Sequence, residues 1–190
     1  MDQIAVEKYF RLLLEEGLGL SLDDPNLSDT PKRVAKMYCQ ELFSGLSGEF
    51  KNWTVFKKEN DYNQIIMADN IHFTSICSHH FLPFIGKAWV LYLPNTYIAG
   101  ASKLVRVVEH YAARPQIQEK LCHDILNNLV KHLNPLGAMV VIRAVHQCMV
   151  CRGVKQPQGT GFVTSALYGK FNDSSVKEEA LQLIRLSEEK

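Results

Sequence analysis

No stretch of this 190-residue chain approaches the ~20 consecutive apolar residues that a membrane-spanning helix needs. Neither sign of charge is in excess: 21 Lys and Arg stand against 20 Asp and Glu. A net charge of +1 predicts neither nucleic-acid nor membrane-surface binding, although it leaves room for a local anion site. Internal repeats and low-complexity segments are absent from the sequence. With 46% hydrophobic and 22% charged residues, the composition excludes disorder, collagen and coiled coil and fits one domain, or one with a helical appendage. The start, Met1-Asp2-Gln3, is polar and acidic, and no cleavable signal follows it. The cysteines are odd in number and scattered (Cys39, Cys77, Cys122, Cys148, Cys151). They do not make a disulfide framework; reduced thiols in the cytoplasm are expected, some of them available to a metal.

What is present is periodic. Val6, Tyr9, Phe10, Leu13 and Leu14 predict a helix over residues 4–16. Asp29-Thr30-Pro31 reads as a cap with proline in the first turn of a helix reaching Phe43. A connector over 44–52 follows, and the pattern then changes, which divides the chain into a helical extension (1–50) and a main domain (51–190). Strands are expected at 65–67, 71–76, 87–93, 138–150 and 161–168. Helices are expected from Gly100 to Arg114 and from Gln116 to Leu133, with Pro115 between them, and at 175–187. Grouped rather than alternating elements indicate an α+β fold with an antiparallel sheet.

Cys77-Ser78-His79-His80 offers a thiol and an imidazole three residues apart, and Cys148-Met149-Val150-Cys151 a second pair. Together they could form a closed four-ligand zinc site. Strand alternation argues otherwise: if the strand persists, His146, Cys148 and Arg152 share a face and Cys151 points away. Cys77, His80 and Cys148 with one open position is the catalytic pattern, in which zinc lowers the pKa of a bound water. A lone cysteine is ordinarily just buried; the spacing of these is what favours a metal. His79 and His146 remain beside the site as proton-transfer groups.

Gly100-Ala101-Ser102-Lys103 opens a helix whose free N–H groups, with Lys103 and Arg106 on one face, suit a phosphate chain. Arg152 adds a cation near the metal, and Lys87 is more simply an ordinary strand lysine. Glu119, early in the second long helix, could accept two N–H groups from a guanine edge, although a helical glutamate is usually just a surface residue.

Taken together, 30–38, 77–80, 100–106, 114–121, 146–149 and 152–153 resemble the GTP cyclohydrolase I family, and the likeness spans residues 4 to 186. The resemblance implies the tunnelling fold: a four-stranded antiparallel sheet with two long helices on one face, plus N-terminal helices. It implies a homodecamer of two pentamers with active sites between subunits, no nucleic-acid or membrane partner, and GTP as substrate. Carried over by motif, Cys77, His80 and Cys148 hold zinc, and His79, His146 and Ser102 move protons. Glu119 and Gln118 bind guanine, and Ser102, Lys103, Arg106 and Arg152 bind the triphosphate. The implied reaction opens the purine ring at C8, releases formate and closes 7,8-dihydroneopterin triphosphate, as the first step of pterin and folate-type synthesis. Two features depart from the family: Ser78 stands where glutamate is usual, and 156–162 replaces a Thr/Ser-rich stretch. Rival readings are a related cyclohydrolase with another nucleotide or product, a zinc-stabilised assembly module closed by Cys151, and a metal-free purine or pterin binder.

Overall fold

The run Ala-Trp-Val-Leu-Tyr-Leu, residues 88–93, has no polar alternation, and a strand of that kind must be covered on both faces. It is the inner half of β3 (Pro83–Leu93) in a computed structural model that describes residues 1–59 and 61–189. β3 pairs antiparallel with β2 (Ile66–Cys77) on one side and β6 (Gly137–His146) on the other. β7 (Phe162–Gly169) extends the sheet beyond β6. Beyond β2 lies β5 (Pro115–Gln116), which runs parallel to it through Ile76 and Cys77 only. The four long antiparallel strands are those expected; the short parallel piece is an addition. A separate ribbon pairs β1 (Val55–Lys57) with β4 (Tyr97–Ala99).

Two long helices, α3 (Ala101–Ala112) and α4 (Gln118–Leu133), cover one face. Leu104, Val107, Val108 and Tyr111 of α3 and Leu121, Ile125 and Leu129 of α4 bury their stripes against Phe73, Phe84, Val90, Tyr92 and Ile142. Truncating one of these, Leu129→Ala for example, removes about 2–5 kcal/mol. On the other face Trp89, Leu91, Met139 and Val141 pack under Ala180 and Ile184 of α6 (Ser174–Glu188). The curled antiparallel sheet with its helices is the α+β tunnelling fold that the sequence led us to expect.

The differences are local. The strands expected at 65–67 and 71–76 are one strand, interrupted by a bulge at Asp69 and Asn70 where Asn70 takes φ +49°. The first helix is α1 (Gln3–Leu12), prolonged by a π turn over Leu13–Gly17; the second is α2 (Thr30–Lys36), prolonged by another over Met37–Leu42. Asp29 does not cap α2 through its side chain; its carboxylate pairs with Arg33 at 3.4 Å. The strand expected to reach Val150 stops at His146, and Gln147–Val150 form one helical turn, α5. His146 lies opposite Phe84, one residue from the start of β3 at Pro83, so no ladder partner remains beyond it. Gly86 lets β3 and β6 approach closely at this end, since a Cβ there would meet the Arg143 carbonyl oxygen at 2.1 Å.

Candidate functional site

The chemistry gathers where β2, β5, β6 and the start of α4 end together. Cys77 is the last residue of β2 and is buried. Its N–H bonds the Leu82 carbonyl at 2.9 Å, closing the turn that carries His79 and His80. The Ser78 N–H bonds the Gln116 carbonyl of β5 at 3.1 Å, so the turn is tied to the strand leading into α4. Cys148, on α5, brings its sulfur to Cys77. The ligand atoms of Cys77, His146 and Cys148 all lie within 4.8 Å of one another. Nδ1 of His79 stands 3.9 Å from the Cys77 sulfur.

The face-sharing expected of His146, Cys148 and Arg152 does not arise, because the strand has ended. A helical turn brings Cys148 inward instead. Cys151 caps that turn, is exposed and lies outside the group of three, so the closed four-ligand arrangement is not what the chain builds. His80 also lies outside that group, and His146 takes its place beside the sulfurs. His80 does line the same cleft of ≈ 190 Å³, together with His79, Glu119, His146 and both cysteines.

The donor set fits a borderline-soft divalent cation such as zinc. Burial, and then the Cys77 thiol beside it, push the Cys148 thiol above its usual pKa, opposed by Arg152. Two thiolates so close require a cation between them.

His146 is the most constrained group. Its ring stacks on Phe84 at 4.6 Å and 2°, with Phe162 edge-on at 5.9 Å. Its Nε2 meets Oε1 of Gln118 at 3.0 Å. The Gln118 amide nitrogen donates to the Ile142 and Phe162 carbonyls and to Thr164 Oγ1, so its oxygen is the atom that faces His146. His146 therefore carries a proton on Nε2 and keeps a lone pair on Nδ1 when neutral. Burial holds its pKa below the usual 6.5, with Glu119 pulling the other way.

Gln118, expected on the guanine, is 1% exposed, and its amide is engaged within the chain. Sequence reasoning placed it in the site but missed this role. A glutamine at the start of a helix gives no sign of which strands will cross its amide. Glu119, the next residue, is exposed and faces the cleft.

Of the anion residues, Arg152 lies close enough to act on the Cys148 thiol, and the three on α3 are elsewhere. Ser102 lines a separate ≈ 530 Å³ groove between α3 and the outer side of β2. Lys103 is only 8% exposed, and its Nζ donates to Asn52 Oδ1 at 2.9 Å. Arg106 and Arg152 are exposed. Ser102 begins α3, whereas the Cys77 turn lies by its C-terminal end, about 15 Å away along a helix rising 1.5 Å per residue.

Comparison with known proteins tests this arrangement. The sequence profile described as GTP cyclohydrolase I matches residues 6–185. GTP cyclohydrolase 1 of a Sulfurihydrogenibium species is 45% identical over 188 residues, 97% of this chain and 96% of its own length. GTP cyclohydrolase 1 of Pelotomaculum thermopropionicum is 43% identical over 186 residues, covering 97% of each chain. That of Bacillus pumilus is 45% identical over 174 residues, 90% of each. The match takes in the Cys77 turn, the starts of α3 and α4 and the β6–α5 junction, so every part of the site lies within it: the chain belongs to the GTP cyclohydrolase I family.

Proposed function

We propose that this chain converts GTP to 7,8-dihydroneopterin triphosphate with release of formate, opening pterin and folate-type synthesis. The observation that carries the reading is the meeting of two thiols, three imidazoles and Glu119 in one cleft. Cys77, Cys148 and His80 would hold the zinc. We assign the third place to His80 on its Cys-x2-His spacing with Cys77 and on the family resemblance, and give His146, held by Gln118 and Phe84, the proton-transfer role. When bound, the metal supplies a Lewis acid that makes water nucleophilic near neutral pH.

The chain's own groups do the rest. The Glu119 carboxylate accepts from N1–H and the exocyclic amine of guanine, which orients C8 toward the sulfurs. His79 delivers a proton to N7 as the ring opens. Nδ1 of His146 accepts and returns a proton, its orientation kept by Gln118. Ser102, Lys103, Arg106 and Arg152 hold the triphosphate, with Ser102 also a proton relay during the ribose rearrangement.

The separation of Ser102 from the cleft supports a site shared between subunits. The cleft's ≈ 190 Å³ is below the about 300–1,000 Å³ of complete small-molecule pockets. Among the described residues, β2 has no strand partner on its outer side before Ile76, and β7 has none beyond β6. Two unpaired edges on one sheet suit head-to-tail closure into a ring. A decamer of two pentamers is the assembly we propose. Residues 1–50 then form an extension on a catalytic domain of 51–190. Five free cysteines suit a reducing cytoplasm; among the described residues no helix is long and apolar enough to cross a membrane.

Incubating the zinc-loaded protein with GTP while following formate and pterin fluorescence tests the reading. Stoichiometric formate with a fluorescent pterin is expected; no product at any metal loading overturns it.

A further inference from the structure

The turn carrying His79 and His80 is held from outside by the N-terminal segment, and we infer that Phe81 is the positioning residue through which that segment sets the two imidazoles. The inference rests on the cyclohydrolase reading of the cleft.

Phe81 follows His80 directly and takes φ +53°, a left-handed conformation that is unfavourable for a bulky side chain and easy for glycine. The residue is 50% exposed, so burial alone does not explain it. What the ring touches is an aromatic pair: Tyr38 and Phe43 stack at 4.9 Å, and Phe81 stands edge-on to them at 6.5 Å and 5.8 Å.

That pair is itself anchored at the next residues. The Gly45 N–H bonds the Ala113 carbonyl at 3.0 Å, and a Cβ on Gly45 would lie 2.0 Å from the His110 carbonyl oxygen. The chain thus crosses the end of α3 where only hydrogen fits. Arg114 donates through Nε to the Gly45 carbonyl at 2.7 Å and through its terminal nitrogen to that of Gly48. The Arg114 carbonyl in turn accepts from Ser75 Oγ at 3.1 Å, on the strand that ends at Cys77. Segment 38–48 therefore grips the cleft from two sides, at β5 through Arg114 and at the histidine turn through Phe81. Without the Phe81 ring the turn loses its aromatic contact with segment 38–48, and His79 and His80 would be less firmly aimed at the zinc and at N7.

The test uses the full-length, metal-loaded protein as Phe81→Gly, Phe81→Tyr and Tyr38→Ala. Glycine relieves the backbone and deletes the ring. It should lower kcat by about tenfold or more, since small misplacements of reacting groups are costly, and leave the KM for GTP within about twofold. Phe81→Tyr should return kcat to near wild type, and Tyr38→Ala should fall between. Cobalt(II) substituted into each gives a second reading: its visible absorption should change in Phe81→Gly and return in Phe81→Tyr.

A wild-type chain without turnover removes the cyclohydrolase reading. An active wild type whose Phe81→Gly variant keeps kcat and cobalt spectrum overturns only the brace. So does loss of thermal stability that Phe81→Tyr does not mend together with kcat. Should Phe81→Gly fail to fold, an unchanged kcat and spectrum in Tyr38→Ala overturns it equally.

Discussion

The two ends of α3 treat their chemistry differently. By its C-terminal end, one chain assembles a cleft: Cys77, Cys148 and His146 converge, and Gln118, held by three bonds from its amide nitrogen to β6 and β7, meets His146 through its oxygen. At its N-terminal end Ser102 and Arg106 face outward, and Lys103 turns its ammonium to Asn52. Local sheet and helix packing suffices for the first. The second lies along the side of β2 that has no strand partner before Ile76 among the described residues, where the proposed assembly would bring a neighbouring subunit. A candidate metal-ligand group is thus complete in the isolated chain, and the proposed triphosphate grip is not.

Breaking the first end should have the largest effect. Cys148→Ser is expected to lose bound zinc and formate release together, read by metal analysis and product assay. His79→Ala should retain zinc while kcat falls by about 10²–10⁴-fold, the usual worth of a proton-transfer group. Comparing His80→Ala with His146→Ala separates the two imidazoles: zinc content should drop in the first and persist in the second. The opposite result would make His146 the ligand. At the other end, Arg106→Ala should leave metal content intact and raise the KM for GTP by about ten- to hundredfold. Mixed with Cys148→Ser and reassembled, it should recover part of the activity if sites are shared.

The smallest expected effect is on stability. The folded His146 pKa lies below the unfolded 6.5, so the unfolded chain binds the extra proton first. Metal-free protein should therefore lose a little stability as pH falls through 6.5, levelling off below the folded pKa. His146→Asn should flatten that slope in thermal melts.

Much of this was readable as period and spacing. The stripes of α3 and α4 and the unbroken apolar half of β3 announced their burial. Segments of two or three residues, such as β5 and the β1–β4 ribbon, carry no period and exist only through their partners. The expected strand through Val150 failed for the same reason: β-rich residues continue, but the neighbouring strand does not. Motif spacing pointed to Cys77 and Cys148, whose sulfurs the fold brings together, and His79 and Glu119 line the same cleft. That His146 rather than His80 stands by the sulfurs, and that Gln118 serves His146, depends on strands 24 and more residues away. Phe81 gave no signal, since a phenylalanine after a histidine pair reads as ordinary core and its positive φ is invisible in sequence.

A sheet whose β7 border, and β2 border before Ile76, have no strand partner among the described residues is a template for correct and incorrect neighbours alike. On the proposed ring assembly, each newly synthesised chain would pass an interval in which β2 and β7 can zip onto any extended peptide nearby, and crowding by nascent copies would raise that hazard. The kink at Asp69 and Asn70 divides the β2 border into two short lengths, so an indiscriminate strand finds no long straight ladder to copy. A contour of that kind admits a partner shaped for it and discourages amyloid-like stacking, which gives a minor irregularity in one strand a part in quality control.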